Sequence, residues 1–190
     1  MRIIAILITI CIVTASCKSK YSKAADEIAS NAPDPVYMNA GKEKYSLYVP
    51  DGWTTEYRNN YGVDYYYISA PNTADDPNTS VNVASEFMQH LGLDEYLQAT
   101  IRSVKKAIST AVVVAQGSIV ANNLDGVWYS YRMKPGGIDV TLVSYIFPKD
   151  GVAYIITAGT QTKDAARYRD TFDSMARSFK FKNKQKNSDK

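Results

Sequence analysis

Cysteine and histidine are scarce in this chain: 190 residues hold two cysteines, Cys11 and Cys17, and one histidine, His90. Both cysteines lie near the amino terminus, so no disulfide framework can staple the rest of the chain, whose stability must come from packing. A cysteine–histidine or serine–histidine–aspartate nucleophile would have to recruit His90, and no G-x-S-x-G elbow is there to present a serine. His90 therefore reads as a surface histidine ahead of a helix rather than as a catalyst. Zinc coordination lacks ligands for the same reason, and no metal is expected. The acids Asp75 and Asp76 lack the D-x-D-x-D-G spacing of a calcium loop and read as solvated loop carboxylates. Gly136 and Gly137 join two strand candidates instead of opening a helix, which makes them hairpin glycines rather than a phosphate cradle. The 19 acids offer many pairs for glycosidase-style hydrolysis, and the sequence singles none out. No catalytic residue emerges, and no cofactor is expected.

Long apolar runs are missing too. Residues 3–13 read IIAILITICIV behind a single charge, Arg2. Eleven residues make about 16 Å of helix, well short of the ~30 Å hydrocarbon core of a bilayer. A basic start, a short apolar stretch and small residues form the layout of a secretory signal. Thr14-Ala15-Ser16-Cys17 resembles the lipobox of bacterial lipoproteins, with Thr14 where the usual pattern has Leu. That resemblance implies cleavage before Cys17, a diacylglycerol on its sulfur, and often a further palmitate-like chain on the new amino terminus. One acyl chain holds a protein only marginally, whereas two or more anchor it stably. Residues 1–16 are then a signal peptide, and Cys17 is the lipid-attachment residue. An ordinary cleaved signal and an uncleaved spanning helix are the alternatives, ranked behind it. Lys18 follows the cysteine where an Asp would favour inner-membrane retention, so the expected location is the outer membrane of a bacterial envelope, facing the periplasm.

Charge of one sign is also lacking. The net charge is +3, and much of the excess sits in Lys180, Lys182, Lys184, Lys186 and Lys190. A nucleic-acid reader carries its basic residues across a folded face, so no nucleic-acid partner is expected. Residues 184–190 read as a basic disordered tail, with attraction to anionic headgroups as a lesser alternative.

What is there is a rhythm of strands and two helices. Residues 17–40 are polar and interrupted by Pro33 and Pro35, and form a flexible tether. Residues 45–49 read as a strand closed by Pro50-Asp51-Gly52, with Trp53 opening the next segment; residues 61–70 and 80–87 read as further strands. Leu93, Leu97, Ile101, Val104 and Ile108 then recur at helical spacing, with Asp94 and Glu95 suited to the first turn. Residues 111–120, 126–134, 138–147 and 152–159 are four strand candidates whose short separators force antiparallel hairpins. Thr162 can cap a last helix reaching about Ser178, with Phe172, Met175, Ala176 and Phe179 in its buried stripe. Residues 126–134 carry large apolar side chains on both faces, so both faces of the sheet need cover. The expected fold class is α+β, a single-domain αβα sandwich around a central antiparallel sheet.

Tyrosine is in excess, at 15 residues, including the run Tyr65-Tyr66-Tyr67. Tyrosine suits pleated strands and can fill a core without disulfides. Tyr and Trp are also enriched at interfaces, so Trp53, Tyr65 and Tyr67 are the candidate recognition surface.

The phrases "YSLYVPDGW" (45–53) and "LDEYLQATIRSVKK" (93–106), then "GVAYIIT" (151–157) followed by Tyr168, Phe172, Met175 and Phe179, resemble PsbP-like domains of the Mog1/PsbP fold. The likeness spans about residues 41–181, within a folded domain taken as 41–183. It implies an αβα sandwich around an antiparallel sheet. Plant members assist the oxygen-evolving complex and the yeast relative binds a nuclear GTPase, partners foreign to a bacterial envelope, so no functional residue carries over. The expectation is a membrane-anchored, non-enzymatic binding or assembly module with an envelope protein partner. The alternatives are an envelope hydrolase using carboxylates, or a carrier of a small apolar ligand.

Overall fold

The computed structural model describes residues 45–60, 63–72 and 79–182. The signal segment, Cys17, the tether, the loop acids Asp75 and Asp76, and the tail 184–190 lie outside the described residues.

Nine strands and two α-helices follow one another in the described chain. They are β1 (Tyr45–Ser46), β2 (Thr54–Asn60), β3 (Val63–Ser69) and β4 (Ser80–Phe87), helix α1 (Leu93–Ala107), β5 (Val112–Ala121), β6 (Leu124–Met133), β7 (Val140–Lys149), β8 (Val152–Gln161), helix α2 (Ala165–Arg177) and β9 (Lys180–Phe181). Seven strands form one sheet in the order β2-β3-β4-β8-β7-β6-β5, every neighbour antiparallel. β1 and β9 make a separate two-stranded ribbon, Tyr45 opposite Phe181.

Tight turns fix the hairpins. Asn122-Asn123 joins β5 to β6 and Asp150-Gly151 joins β7 to β8, all four residues at positive φ. Two-residue turns of that hand match the twist of the strands they connect, and Asn, Asp and Gly tolerate the conformation best. Gly126 answers a different demand: a Cβ there would lie 2.6 Å from a ring carbon of Phe147 and 2.7 Å from the Ile146 carbonyl oxygen.

Each helix covers one face. On one side Tyr96, Leu97, Ile101 and Val104 of α1 pack on Val127, Tyr129, Tyr131, Leu142, Ile146 and Ala153. On the other, Phe172, Met175 and Ala176 of α2, with Phe179 beyond it, pack on Val81, Val83, Val143, Tyr145, Phe147 and Ile156. Fully burying each such side chain stabilises the fold by about 1.5–3 kcal/mol. The result is the α+β antiparallel sandwich that the hairpin spacing and the doubly apolar strands imply. No helix among the described residues is long and apolar enough to cross a membrane.

Two local expectations are corrected and one further strand is found. The first strand spans only Tyr45–Ser46, because the chain then peels away and packs Leu47 and Val49 into the α2-side core. The Tyr48 amide donates to the Ser178 hydroxyl at 2.6 Å, which holds that departing segment to the end of α2. Secondly, Thr54–Asn60 is a strand although TTEYRNN shows no apolar face; as an edge strand it needs only one partner. Thirdly, Thr162 does not cap α2. It opens a 3₁₀ turn over Thr162–Asp164, its hydroxyl accepts from Thr141 at 3.1 Å, and Asp164 stands at the cap position.

Candidate functional site

The three residues expected to share a recognition surface are separated. Strand β3 alternates, so Tyr65 and Tyr67 face the α1 side while Tyr66 and Ile68 face the α2 side. Tyr65 is 1% exposed and Tyr67 3%, their rings 5.7 Å apart. Trp53 is half-buried on the α2 side, edge-on to Tyr168 at 6.1 Å. An exposed surface formed by Trp53, Tyr65 and Tyr67 is thereby ruled out, because β3 is an interior strand of a sheet covered on both sides.

An aromatic ladder lies on the α2 side, exposed at Tyr57 and buried at Tyr154 and Phe179. Tyr57 of β2 is 78% exposed and lies on Tyr66 with ring centroids 4.8 Å apart. Tyr66 meets Tyr45 edge-on at 6.5 Å, and Tyr45 continues to Tyr154 at 6.2 Å and Phe179 at 5.4 Å. Phe181 closes the row against Tyr154 at 4.8 Å, with the Lys149 ammonium 4.2 Å above its ring. Burial, reinforced by Tyr57, Tyr66 and Tyr154 around it, pushes the Tyr45 hydroxyl far above its ordinary range, so the phenol stays neutral. This ladder runs from an exposed tyrosine at one sheet edge to the ribbon where the described chain begins. Aromatic faces, phenol hydroxyls and the Lys149 ammonium make up its chemistry.

The α1 side hides a polar row. Tyr67, Asn82, Thr157, Ser144 and Tyr129 stand opposite one another on β3, β4, β8, β7 and β6. The Ser144 and Thr157 hydroxyls lie 3.2 Å apart. Four residues along β4 from Asn82, Glu86 is 6% exposed and accepts a hydrogen bond from the Tyr96 hydroxyl of α1. Burial raises its carboxyl to about 7, opposed by the Tyr96 hydrogen bond, which favours the carboxylate. Such an acid resembles a general acid in its titration, yet it is sealed beneath a helix and reaches no open cleft. Its partner in that position makes it a lock between α1 and the sheet. Glu86 reads as an outward polar residue in the sequence, alternating with Val81 and Val83; only the placement of α1 over that face buries it. On the opposite face Asp173 accepts from Tyr145 and from Arg169 at 3.0 Å, while the Arg169 guanidinium lies 4.6 Å from the Trp128 ring.

His90 is exposed at a positive φ in the turn before α1, in line with its reading as a surface residue. Gly136 and Gly137 form the turn between β6 and β7, both at positive φ. Among the described residues no group of three or more His, Cys, Asp or Glu side chains could hold a metal ion.

Family kinship can be read beside this geometry. The chain matches the PsbP family over residues 36–181. It belongs to that family. No curated protein matches it. Solved structures share its fold: the solution structure of cyanobacterial PsbP (CyanoP) from Synechocystis sp. PCC 6803 is 15% identical with a TM-score of 0.53, covering 79% of this chain and 99% of that one. LpqN of Mycobacterium tuberculosis, involved in cell envelope biogenesis, is 12% identical with a TM-score of 0.56, covering 76% and 86%. The Ran-binding protein Mog1p of Saccharomyces cerevisiae is 14% identical with a TM-score of 0.51, covering 72% and 89%. The Mog1/PsbP fold is thus the fold of this PsbP-family chain.

Proposed function

We propose that this PsbP-family protein is a lipid-anchored, non-enzymatic binding or assembly module of the bacterial cell envelope, acylated on Cys17 and standing in the periplasm on the outer membrane. The observation that carries the binding role is the aromatic ladder from Tyr57 to Phe181, exposed at one end and free of any reactive group. Its other end is the ribbon in which Tyr45 pairs with Phe181. The 27 residues between Cys17 and Tyr45 reach at most about 90–95 Å when extended, enough for the domain to engage a partner away from the bilayer. Support for the setting comes from the lipobox-like Thr14–Cys17 and from sharing a fold with a mycobacterial protein of envelope biogenesis. The partner is an envelope protein that accepts tyrosine faces.

Mass spectrometry of the protein purified from membranes tests the anchor. A diacylglyceryl thioether on Cys17 at the mature amino terminus is expected; an unmodified sulfur with residues 1–16 attached overturns it. Co-purification from detergent-solubilised membranes tests the binding role. A partner recovered by the parent and lost with Tyr57→Ala is expected, and recovery unaffected by that substitution refutes the ladder as the contact surface.

A further inference from the structure

Strand β5 is the second edge of the sheet, and nothing among the described residues pairs with its outer side. Its ten residues, VVVAQGSIVA, include no charge and no proline. Edge strands of soluble proteins are ordinarily blunted by one or the other, because an open row of N–H and C=O groups templates pairing with another chain. The opposite edge, β2, carries Glu56 and Arg58. Apolar exposure is concentrated on β5 as well: Val112, Val114 and Val120 are 53–63% exposed, three of the five large hydrophobic residues exposed among those described.

The strand is also its own complement. Val112, Val113 and Val114 fill one end, Ile119 and Val120 the other, and small or polar residues Ala115, Gln116, Gly117 and Ser118 lie between. An antiparallel copy laid alongside brings the valine end of each strand against the Ile119-Val120 end of the other. The exposed Val112 and Val114 of each strand then come to the end where the other exposes Val120, no like charges meet, and the small centre crosses itself. Val113 and Ile119 stay packed in the cores on opposite faces of the sheet. The bulge at Val114 interrupts the inner ladder near one end only, leaving Ala115 to Ala121 in regular register with β6. We infer that two copies of this chain associate through antiparallel pairing of β5 with β5, closing two seven-stranded sheets into one. The interface is isologous, so it stops at the dimer instead of growing into a fibre. This inference stands apart from the Cys17 anchor and from the aromatic ladder, which lies toward the other end of the sheet.

Residues opposite each other in an antiparallel pair have Cα atoms about 4.5–5.5 Å apart, inside the range a disulfide bridges. Gln116→Cys and Ser118→Cys, made separately in the full chain, therefore test the pairing under mild oxidation in detergent, with the parent setting the background from Cys11 and Cys17. A reducible dimer in at least one of the two is expected, absent from Glu56→Cys on the far edge and lost when Val114→Lys and Val120→Lys are added. Monomers in both β5 variants, or an equal dimer through Glu56→Cys, overturn the inference. Native mass spectrometry of the unsubstituted chain is the independent check: a dimer mass that the two lysines abolish supports β5 pairing, and a monomer mass alone refutes it.

Discussion

Tyr96 of α1 donates its hydroxyl hydrogen to Glu86 of β4 across the boundary between helix and sheet, and both side chains are buried. Burial raises the Glu86 carboxyl from 4.5 to about 7 in the folded protein. Between those values the folded state holds a proton that the unfolded chain has released, so stability falls as pH rises from about 4.5 to 7 and is lowest above the folded value. The span corresponds to about 3 kcal/mol. Glu86→Gln keeps an acceptor for Tyr96 and removes the titration; urea unfolding of the full chain at intervals from pH 5 to 8 should show a flatter profile than the parent. An unchanged slope would mean that Glu86 is not the group responsible.

Tyr96→Phe acts in the opposite direction. The Tyr96 hydrogen bond favours the charged carboxylate, so its loss pushes the Glu86 value further up and deepens the loss of stability toward pH 8. The same series of unfolding curves checks this: the gap between Tyr96→Phe and the parent should widen as pH rises. A gap that narrows would contradict the assigned direction.

Gly126 and Gly137 separate space from conformation. At Gly126 an alanine methyl would sit against the Phe147 ring and the Ile146 carbonyl, both under 3 Å away, and backbone oxygen cannot swing aside. Gly126→Ala should cost about 1–3 kcal/mol or more through overpacking. At Gly137 a Cβ meets nothing within 4 Å, but φ is +84°, so Gly137→Ala should cost only the backbone penalty of about 1–2 kcal/mol. Thermal unfolding of the two variants should rank Gly126→Ala as the more damaging; the reverse order would show that the β6–β7 approach can relax.

The architecture was legible because period and turn chemistry agree along most of the chain. Leu93, Leu97, Ile101 and Val104 recur at a spacing only a one-sided helix satisfies, and Asn122-Asn123 and Asp150-Gly151 admit little besides tight hairpins. The site was harder to read, since facing depends on what covers a strand. Alternation correctly puts Tyr65 and Tyr67 opposite Tyr66, but carries no information on which side is open. Glu86 was hidden for the same reason: a polar residue alternating with Val81 and Val83 looks solvated until α1 lies over it. Tyr57 sits in TTEYRNN, where nothing apolar marks a strand, and its neighbour Tyr66 comes from a different strand of the hairpin. Contacts across strands are set by register, which no single segment contains.

The exposed Tyr57 and the buried Tyr65 make the last prediction a contrast. Tyr57 is 78% exposed, so Tyr57→Ala should change stability by less than about 0.5 kcal/mol. Tyr65 is buried in the same hairpin, and Tyr65→Ala should cost about 3–5 kcal/mol, as removal of a large buried aromatic does. If the ladder is the contact surface, partner recovery from solubilised membranes drops for Tyr57→Ala at an unchanged unfolding midpoint. Tyr65→Phe, which keeps the buried ring, should leave recovery intact. Recovery lost with Tyr65→Phe and kept with Tyr57→Ala would move the contact surface to the α1 side and reverse the assignment made from exposure.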